Sequence, residues 1–173
     1  MTSKLKVNIL ADGGDNAILT SDGSGSLTLN NAALKNTPAF KVKLSSNQSI
    51  STSTTTKIAF DTELYDTDNA FASNKFTVPT GKGGKYIVNF SSRTDLAIDT
   101  DAKTLIKVNG NSQYNSFQGS VKPNATGSIH FCASCILNLS AADYIELYLL
   151  QNSGSAQLAY ANYCAMSGFR IGT

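Results

Sequence analysis

The longest alternating pattern in the chain is Gly127-Ser128-Ile129-His130-Phe131-Cys132-Ala133-Ser134-Cys135-Ile136-Leu137-Asn138-Leu139. Its odd-numbered positions from Ile129 to Leu139 are all apolar or small, and most residues between them are polar. A period of two residues is that of a β-strand with one face in a core. The pattern therefore predicts a strand whose odd-numbered side chains are buried and whose even-numbered side chains, beginning with His130, lie on the opposite face.

Shorter segments with the same two-residue period occur along most of the chain after residue 37. The clearest are Phe40–Leu44, Tyr86–Phe90, Ile145–Leu149 and Tyr163–Ile171. A further segment, Leu105–Val108, ends at Asn109-Gly110, which is a strong signal for a hairpin turn. Residues 45–56 are polar and predict a loop. About eight to ten short strands without a convincing helix predict an all-β fold, an antiparallel jelly-roll sandwich.

Five aromatic residues are expected in the core of this sandwich, because each lies in the apolar phase of its segment. They are Phe60, Tyr86, Phe90, Phe131 and Phe169. In the last strand this phase places Phe169 inside the core. It places the alternate residues outside, namely Asn162, Cys164, Met166 and Arg170.

Small polar residues dominate the composition. Ser, Thr and Asn account for 54 of 173 residues, whereas charged residues make up only 15%. These residues favour strands and turns over helices, and no window approaches the ~18–20 apolar residues of a membrane span. A net charge of +2 with two arginines argues against nucleic-acid binding. Three cysteines and no signal-peptide pattern predict a chain made in a reducing cytosol.

Residues 1–36 differ from the rest of the chain. They contain four glycines and no aromatic residue, and their apolar residues form short groups such as Leu5/Val7/Ile9 and Leu27/Leu29. Such a segment buries too little apolar surface to offset the entropy of ordering it alone. We therefore expect residues 1–36 to form an anchoring arm of short strands with a loose hairpin, bound to another protein by strand addition, and residues 37–173 to form the domain.

Several motifs occur in a fixed order between residues 37 and 172. The central series is Phe60, Asp66, Phe71, Phe76 and Gly84-x-Tyr86-x-Val88-x-Phe90. Around it stand Thr37-Pro38-Ala39-Phe40, Leu105-Ile106-Lys107-Val108-Asn109-Gly110, Asp143-Tyr144-Ile145-Glu146-Leu147 and Ser167-Gly168-Phe169. In order and spacing these motifs resemble those of C1q-like domains. Ala142 stands where that family has Gly, and Val88 where it usually has Phe.

The resemblance implies a ten-stranded jelly roll of the C1q/TNF type, which assembles as a tight homotrimer and acts by recognition. In that family, strands at the positions of 127–139 and of the last strand belong to the sheet that meets the neighbouring subunits. The first would contribute His130, Cys132, Ser134, Ile136 and Asn138 to the contact, and the last would contribute Asn162, Cys164, Met166 and Arg170. The polar composition and the arm, with Asn16–Gly23 and Leu34–Pro38, are similar to those of C1q-like virion proteins of bacteriophages.

The single histidine and the one C-x-x-C motif do not predict catalysis. His130 lies in neither a Gly-x-Ser-x-Gly nor a His-Glu-x-x-His context, so we interpret it as a surface or subunit-interface residue. Cys132 and Cys135 are three residues apart in a strand and therefore point to opposite faces, with Cys135 towards the core. Thiols that pack are the favoured interpretation, and a metal site completed by Cys164 is the alternative.

Two other clusters have a structural and a functional interpretation. Asp61, Glu63, Asp66 and Asp68 lie around one predicted strand end, but their spacing is not that of an EF-hand loop, so a solvated turn is favoured over a bound cation. Gly81-Lys82-Gly83-Gly84 lacks the Ser/Thr and the helix start of a phosphate-binding loop. It predicts a hairpin turn.

The resemblance to C1q-like virion proteins implies a bacteriophage virion protein, and the absence of a clustered catalytic motif predicts that it is not an enzyme. It would be a homotrimeric C1q-like knob, anchored to another virion protein through residues 1–36 as a capsid decoration or short fibre, with a role in attachment to a host-surface glycan or protein. We expect synthesis in the bacterial cytoplasm, location in the virion, no cofactor or metal, and no nucleic-acid or membrane partner. The alternative is a soluble C1q-like module that recognises glycan or protein outside any virion.

Overall fold

The computed structural model describes residues 7–29, 37–96, 100–112 and 127–172, together with the backbone of 118–121. Within these ranges the chain is almost entirely β-structure, as predicted, and the one helix among them is a three-residue 3-10 turn at Ala161–Tyr163. No helix in the described part of the chain is long and apolar enough to cross a membrane.

Seventeen strands lie within the described residues. Three belong to the N-terminal segment, namely β1 (Ile9–Ala11), β2 (Ala17–Ser21) and β3 (Leu27–Leu29). The others are β4 (Ala39–Lys43), β5 (Gln48–Ile50), β6 (Thr56–Lys57), β7 (Thr62–Asp66), β8 (Phe71–Ala72), β9 (Lys75–Thr77), β10 (Gly84–Leu96), β11 (Ala102–Val108), β12 (Asn111–Ser112), β13 (Gln118–Val121), β14 (Gly127–Leu139), β15 (Tyr144–Gln151), β16 (Gln157–Ala159) and β17 (Ala165–Gly172).

Two antiparallel sheets form the domain. One contains five strands in the order β14-β10-β17-β4-β7, and the other contains seven, with the path β12-β11-β15-β9-β8, β13 paired to β11 and β6 paired to β15. A short ladder joins β16 to β5. Strands that follow each other in sequence, such as β9 and β10 or β14 and β15, lie in different sheets. This crossing between sheets is the connectivity of a jelly-roll sandwich.

The core lies between the two sheets and confirms most of the predicted aromatic positions. Phe60, Tyr86, Phe90 and Phe131 are all buried there. Alternate residues of β10 are buried over the whole strand, which is the pattern of a strand with one covered face.

The prediction for the last strand is wrong by one residue. Phe169 is 36% exposed, whereas Cys164 and Met166 are 1% exposed and Arg170 is 5% exposed. The reason is a close approach at Gly168, where an added Cβ would lie 2.9 Å from the Phe40 ring. Only glycine fits at this position of β17, where the backbone lies against the Phe40 ring. Gly168 therefore faces the core, and its neighbours Ser167 and Phe169 face outwards.

Three turns and loops test the remaining predictions. The hairpin at Asn109-Gly110 is confirmed, since both residues have positive φ, 51° and 78°, and join β11 to its partner β12. The predicted loop over residues 45–56 instead contains β5 and the start of β6. The segment Gly81–Gly84 forms a turn, but it joins β9 to β10 across the two sheets and is therefore not a hairpin.

The N-terminal segment forms a three-stranded antiparallel sheet of its own, where a looser hairpin was expected. Leu10 pairs with Leu19, and Leu19 with Leu29, so three leucines lie in one row. Neighbouring Leu27 is 66% exposed. Leu5, which was expected in the first strand, and residues 30–36 of the predicted arm lie outside the described residues.

Candidate functional site

An apolar row crosses the solvent-exposed side of the five-stranded sheet, which we call the five-strand face. Ile136 on β14 pairs with Ile87 on β10, which pairs with Phe169 on β17, which pairs with Ala39 on β4. Ile136 is 61% exposed and Phe169 is 36% exposed. Directly opposite residues on adjacent strands are neighbours, so these side chains form a continuous stripe. A contiguous exposed apolar stripe marks an interaction surface.

Small side chains fill the middle of the five-strand face. The next two rows of partners are Ser134, Asn89 and Ser167, which end at Lys41 on β4, and then Cys132, Ser91 and Ala165, which end at Lys43 on the same strand. They leave a depression of about 260 Å³, lined mainly by residues of β10 and β17. This volume is below the ~300–1,000 Å³ of typical small-molecule sites. Small residues let another protein surface approach closely, so the face suits packing between proteins.

At one end of the five-strand face the Arg93 side chain lies between two tyrosine rings. Its guanidinium carbon is 4.6 Å from the Tyr160 ring centroid and 4.7 Å from that of Tyr163. Nη2 of Arg93 also donates a hydrogen bond to Ser128 Oγ at 2.6 Å. Stacking and a directed hydrogen bond together fix the plane of a guanidinium group. Sequence reasoning missed this cluster, because its tyrosines lie far from Arg93 along the chain.

Asp95 supplies the negative charge of the same cluster. It accepts hydrogen bonds from Ser128 Oγ at 2.5 Å and from the Tyr160 hydroxyl. The bond from Ser128, followed by that from Tyr160, lowers the pKa of Asp95, and the bond to Asp95 raises the pKa of Tyr160. At neutral pH the carboxylate is therefore ionised, the phenol is protonated, and the charges of Asp95 and Arg93 balance.

His130 is exposed on the five-strand face, as its strand phase predicted. Its ring meets the Tyr163 ring edge-on, with the centroids 5.1 Å apart. This is a packing contact, and it does not orient the imidazole for proton transfer.

The cysteines lie on the two sides of β14, as predicted for the C-x-x-C motif. Cys132 is exposed and Cys135 is buried. Burial raises the pKa of the Cys135 thiol to about 11 and also raises the pKa of Cys164, so both groups stay protonated at neutral pH and pack as thiols. Cys164 is buried, contrary to the predicted phase. Among the described residues, no three His, Cys, Asp or Glu side chains are grouped as metal ligands.

The predicted acidic cluster does not form a single site among the described residues. Asp61 precedes β7 and accepts hydrogen bonds from the backbone N–H and the hydroxyl of Ser45, at 2.7 and 2.5 Å, which lower its pKa. Asp66 ends β7 and accepts a hydrogen bond from the Phe71 N–H at 2.7 Å. These two carboxylates therefore stabilise turns at opposite ends of one strand.

The groups of the Gly81–Gly84 turn contact other parts of the protein. Lys82 Nζ lies 3.5 Å from Asp68 Oδ1. The carbonyl oxygen of Gly83 accepts hydrogen bonds from Nε and Nη2 of Arg170, at 3.1 and 2.8 Å. The buried guanidinium of Arg170 thus holds the turn against the end of β17, and Lys82 joins it to the segment that follows β7.

Comparisons with solved structures place this architecture beside C1q and TNF globular domains. The chain is similar to the globular domain of zebrafish complement 1qA protein, with a TM-score of 0.55 and 19% identity over 78% of this chain and 97% of that one. It is also similar to Eiger TNF from S. frugiperda, with a TM-score of 0.54 and 10% identity over 77% and 91%. No protein-family model and no curated protein sequence matches it. The C1q/TNF-like jelly-roll fold expected from the motifs is confirmed.

Proposed function

We propose that this chain is a non-enzymatic C1q-like recognition module that assembles as a homotrimer through its five-strand face. The observation that carries the proposal is the exposed row of Ile136, Ile87 and Phe169 beside a field of small side chains. An apolar centre with close-packing neighbours is the composition of a subunit interface. The resemblance of the motifs to C1q-like domains supports a threefold arrangement of these faces.

Light scattering on the full chain tests the assembly. We expect a mass of about 55 kDa at micromolar concentration, three times the 18.3 kDa of one chain. Ile136→Asn places a polar amide in the apolar row and is expected to yield the 18.3 kDa monomer. The matched control is Leu158→Asn, which changes an exposed leucine outside this sheet and should keep the trimer. A monomeric wild-type protein contradicts the proposal.

We further propose that the trimer is a structural protein of a bacteriophage virion, anchored by residues 1–36 as a capsid decoration or short fibre. The Ser/Thr/Asn-rich composition and the arm sequence support this role by resemblance. The exposed leucines of the separate β1–β3 sheet support it physically, since an isolated three-stranded sheet gains stability by packing on another surface. The domain would then face the host surface, and synthesis would take place in the bacterial cytoplasm.

Purification of particles from the producing cells tests the virion role. The protein should sediment with intact particles at a fixed copy number, and should remain bound after a salt wash. If it stays entirely in the soluble fraction and binds its ligand there, the soluble recognition module is the better description.

A further inference from the structure

The outward side of the seven-stranded sheet carries lysines and tyrosines around one buried carboxylate. In β15 the outward residues include Tyr144, Glu146 and Tyr148, which alternate with the buried residues of the core. The neighbouring strands place lysines beside them, because Lys107 of β11 is the ladder partner of Glu146 and Lys57 of β6 is the partner of Tyr148. We call Lys57, Lys75, Lys107, Tyr144, Glu146 and Tyr148 the lysine–tyrosine face.

Glu146 is fully engaged within this face. Its side chain is 9% exposed, Oε1 lies 3.1 Å from Lys57 Nζ, and Oε2 accepts a hydrogen bond from the Tyr148 hydroxyl at 3.0 Å. The nearby carboxylate helps to raise the pKa of Tyr148, after burial, which contributes most. The negative charge of Glu146 is thus compensated by Lys57, and its carboxylate is largely buried.

The other two lysines lie over aromatic rings. Lys107 Nζ is 4.1 Å from the Tyr148 ring centroid, and Lys75 Nζ is 4.4 Å from that of Tyr144. Among the described side chains, Lys57 is the one lysine of this face that forms an ion pair. A cation–π contact orients an ammonium group but leaves its charge uncompensated. Among the described residues, neither Lys75 nor Lys107 has a carboxylate within ion-pair distance, so the face presents two oriented positive charges.

We propose that the lysine–tyrosine face binds an acidic polysaccharide, one that carries carboxylate or sulfate groups. The inference rests on the proposed function as a recognition module and names its class of ligand. Charge complementarity supports it, because ammonium groups held at fixed positions on a flat sheet suit anionic groups spaced along an extended chain. The two sheets lie back to back, so this side of the sandwich stays accessible when the five-strand face is covered.

The side chains of this face favour a polysaccharide over a nucleic acid. Its positive charges are all lysines, whereas sites that read or stack nucleic-acid bases use arginine forks and open aromatic rings. Here both rings are covered by ammonium groups. A carboxylate or sulfate group needs only a point charge with donors, which lysine supplies.

Affinity measurements on the full-length protein test the proposal, with dextran sulfate and alginate as probes and neutral dextran of matched length as reference. We expect both anionic polymers to bind at low salt and neutral dextran not to bind. Lys107→Gln should weaken binding to dextran sulfate roughly three- to fivefold and lower the slope of log affinity against log salt by about one. Glu146→Gln keeps the size of the side chain and one of its two acceptor oxygens but removes the opposing charge, and should strengthen binding about twofold.

The matched control is Lys85→Gln, which removes the same charge from the end of the five-strand face, and light scattering on this variant checks that it is still a trimer. It should change the affinity less than twofold. The inference is overturned if the wild-type protein binds neither dextran sulfate nor alginate. It is also overturned if Lys85→Gln and Lys107→Gln lower the affinity for dextran sulfate equally. Tighter binding to a DNA duplex than to dextran sulfate also overturns it. Light scattering on the same samples separates these outcomes, because an intact trimer that binds no polyanion refutes the ligand class and leaves the proposed assembly standing.

Discussion

Ala142 occupies a backbone conformation that alanine rarely adopts. Its φ of 71° lies in the left-handed region, which costs a residue with a Cβ atom about 1–2 kcal/mol. The turn between β14 and β15 is held in place around it, since the Ala142 N–H donates to Val78 O at 2.9 Å and Asp143 Oδ2 accepts from the Ser140 N–H at 2.7 Å. The turn thus holds Ala142 in a conformation that glycine adopts without a steric cost.

We therefore expect Ala142→Gly to stabilise the protein. Relief of the left-handed strain outweighs the extra entropy that glycine gives the unfolded chain, so the free energy of unfolding should rise by about 0.5–1 kcal/mol. Thermal denaturation at a fixed protein concentration measures the change, with a rise in Tm of about 1–4 °C. Ala141→Gly is the control, because Ala141 has no positive φ. It should lower the Tm slightly, and equal losses in both variants would show that the turn is unstrained.

At the scale of single strands, β14 and β17 show what alternation alone determines. In β14 one set of alternate residues is apolar or small and the other is mostly polar, and the predicted phase is correct. In β17 both sets contain apolar residues, with Met166 in one and Phe169 in the other, so the pattern does not distinguish them. The phase is set by contacts that are remote in sequence, namely Gly168 against Phe40 and Arg170 against the Gly83 carbonyl.

Phe131 and Phe169 lie on opposite sides of the same sheet, and their truncation should have different effects. Phe131 is 3% exposed. Phe131→Ala should lower the free energy of unfolding by roughly 3–5 kcal/mol, a large part of the ~5–15 kcal/mol that stabilises a domain. Phe169→Ala should leave the fold intact but reduce the trimer fraction, because its ring lies in the exposed apolar row. Circular dichroism and light scattering on both variants measure the two effects.

His130→Ala is the companion variant for β14. It removes an exposed ring next to Phe131, so it should fold normally and affect assembly at most. If His130→Ala unfolds while Phe131→Ala remains stable, the phase assigned to β14 is wrong.

At the scale of the whole molecule, the order of the motifs was sufficient to predict the jelly roll. It was not sufficient to predict which short strands form the edges of the sheets. Strands of two or three residues, such as β6 and β12, are too short to show a period and form only because a neighbouring strand offers partners. The lysine–tyrosine face also escaped prediction. Tyr144 and Tyr148 alternate visibly in the sequence, but the lysines that cover them come from β9 and β11, which only the folded sheet brings together.

Removal of residues 1–36 tests the division of the chain into an anchor and a domain. Because β1–β3 form a sheet of their own, the truncated protein should keep its Tm and remain a trimer, now of about 45 kDa. Incorporation into particles should be lost. Normal occupancy of the truncated protein on particles would show instead that the jelly roll makes the docking contact.

In the proposed trimer, the back-to-back arrangement of the two sheets would also determine how strongly the assembly holds an extended ligand. A threefold particle that covers one side of each sandwich displays the other side three times around its perimeter. Once one subunit has bound a long polysaccharide, the next subunit meets that polysaccharide at a high effective concentration. The resulting avidity exceeds the single-site affinity by about 10²–10⁴ without any new contact. Weak, rapidly reversible contacts at each copy of such a trimer would therefore be enough for durable adhesion to a polymer-coated surface.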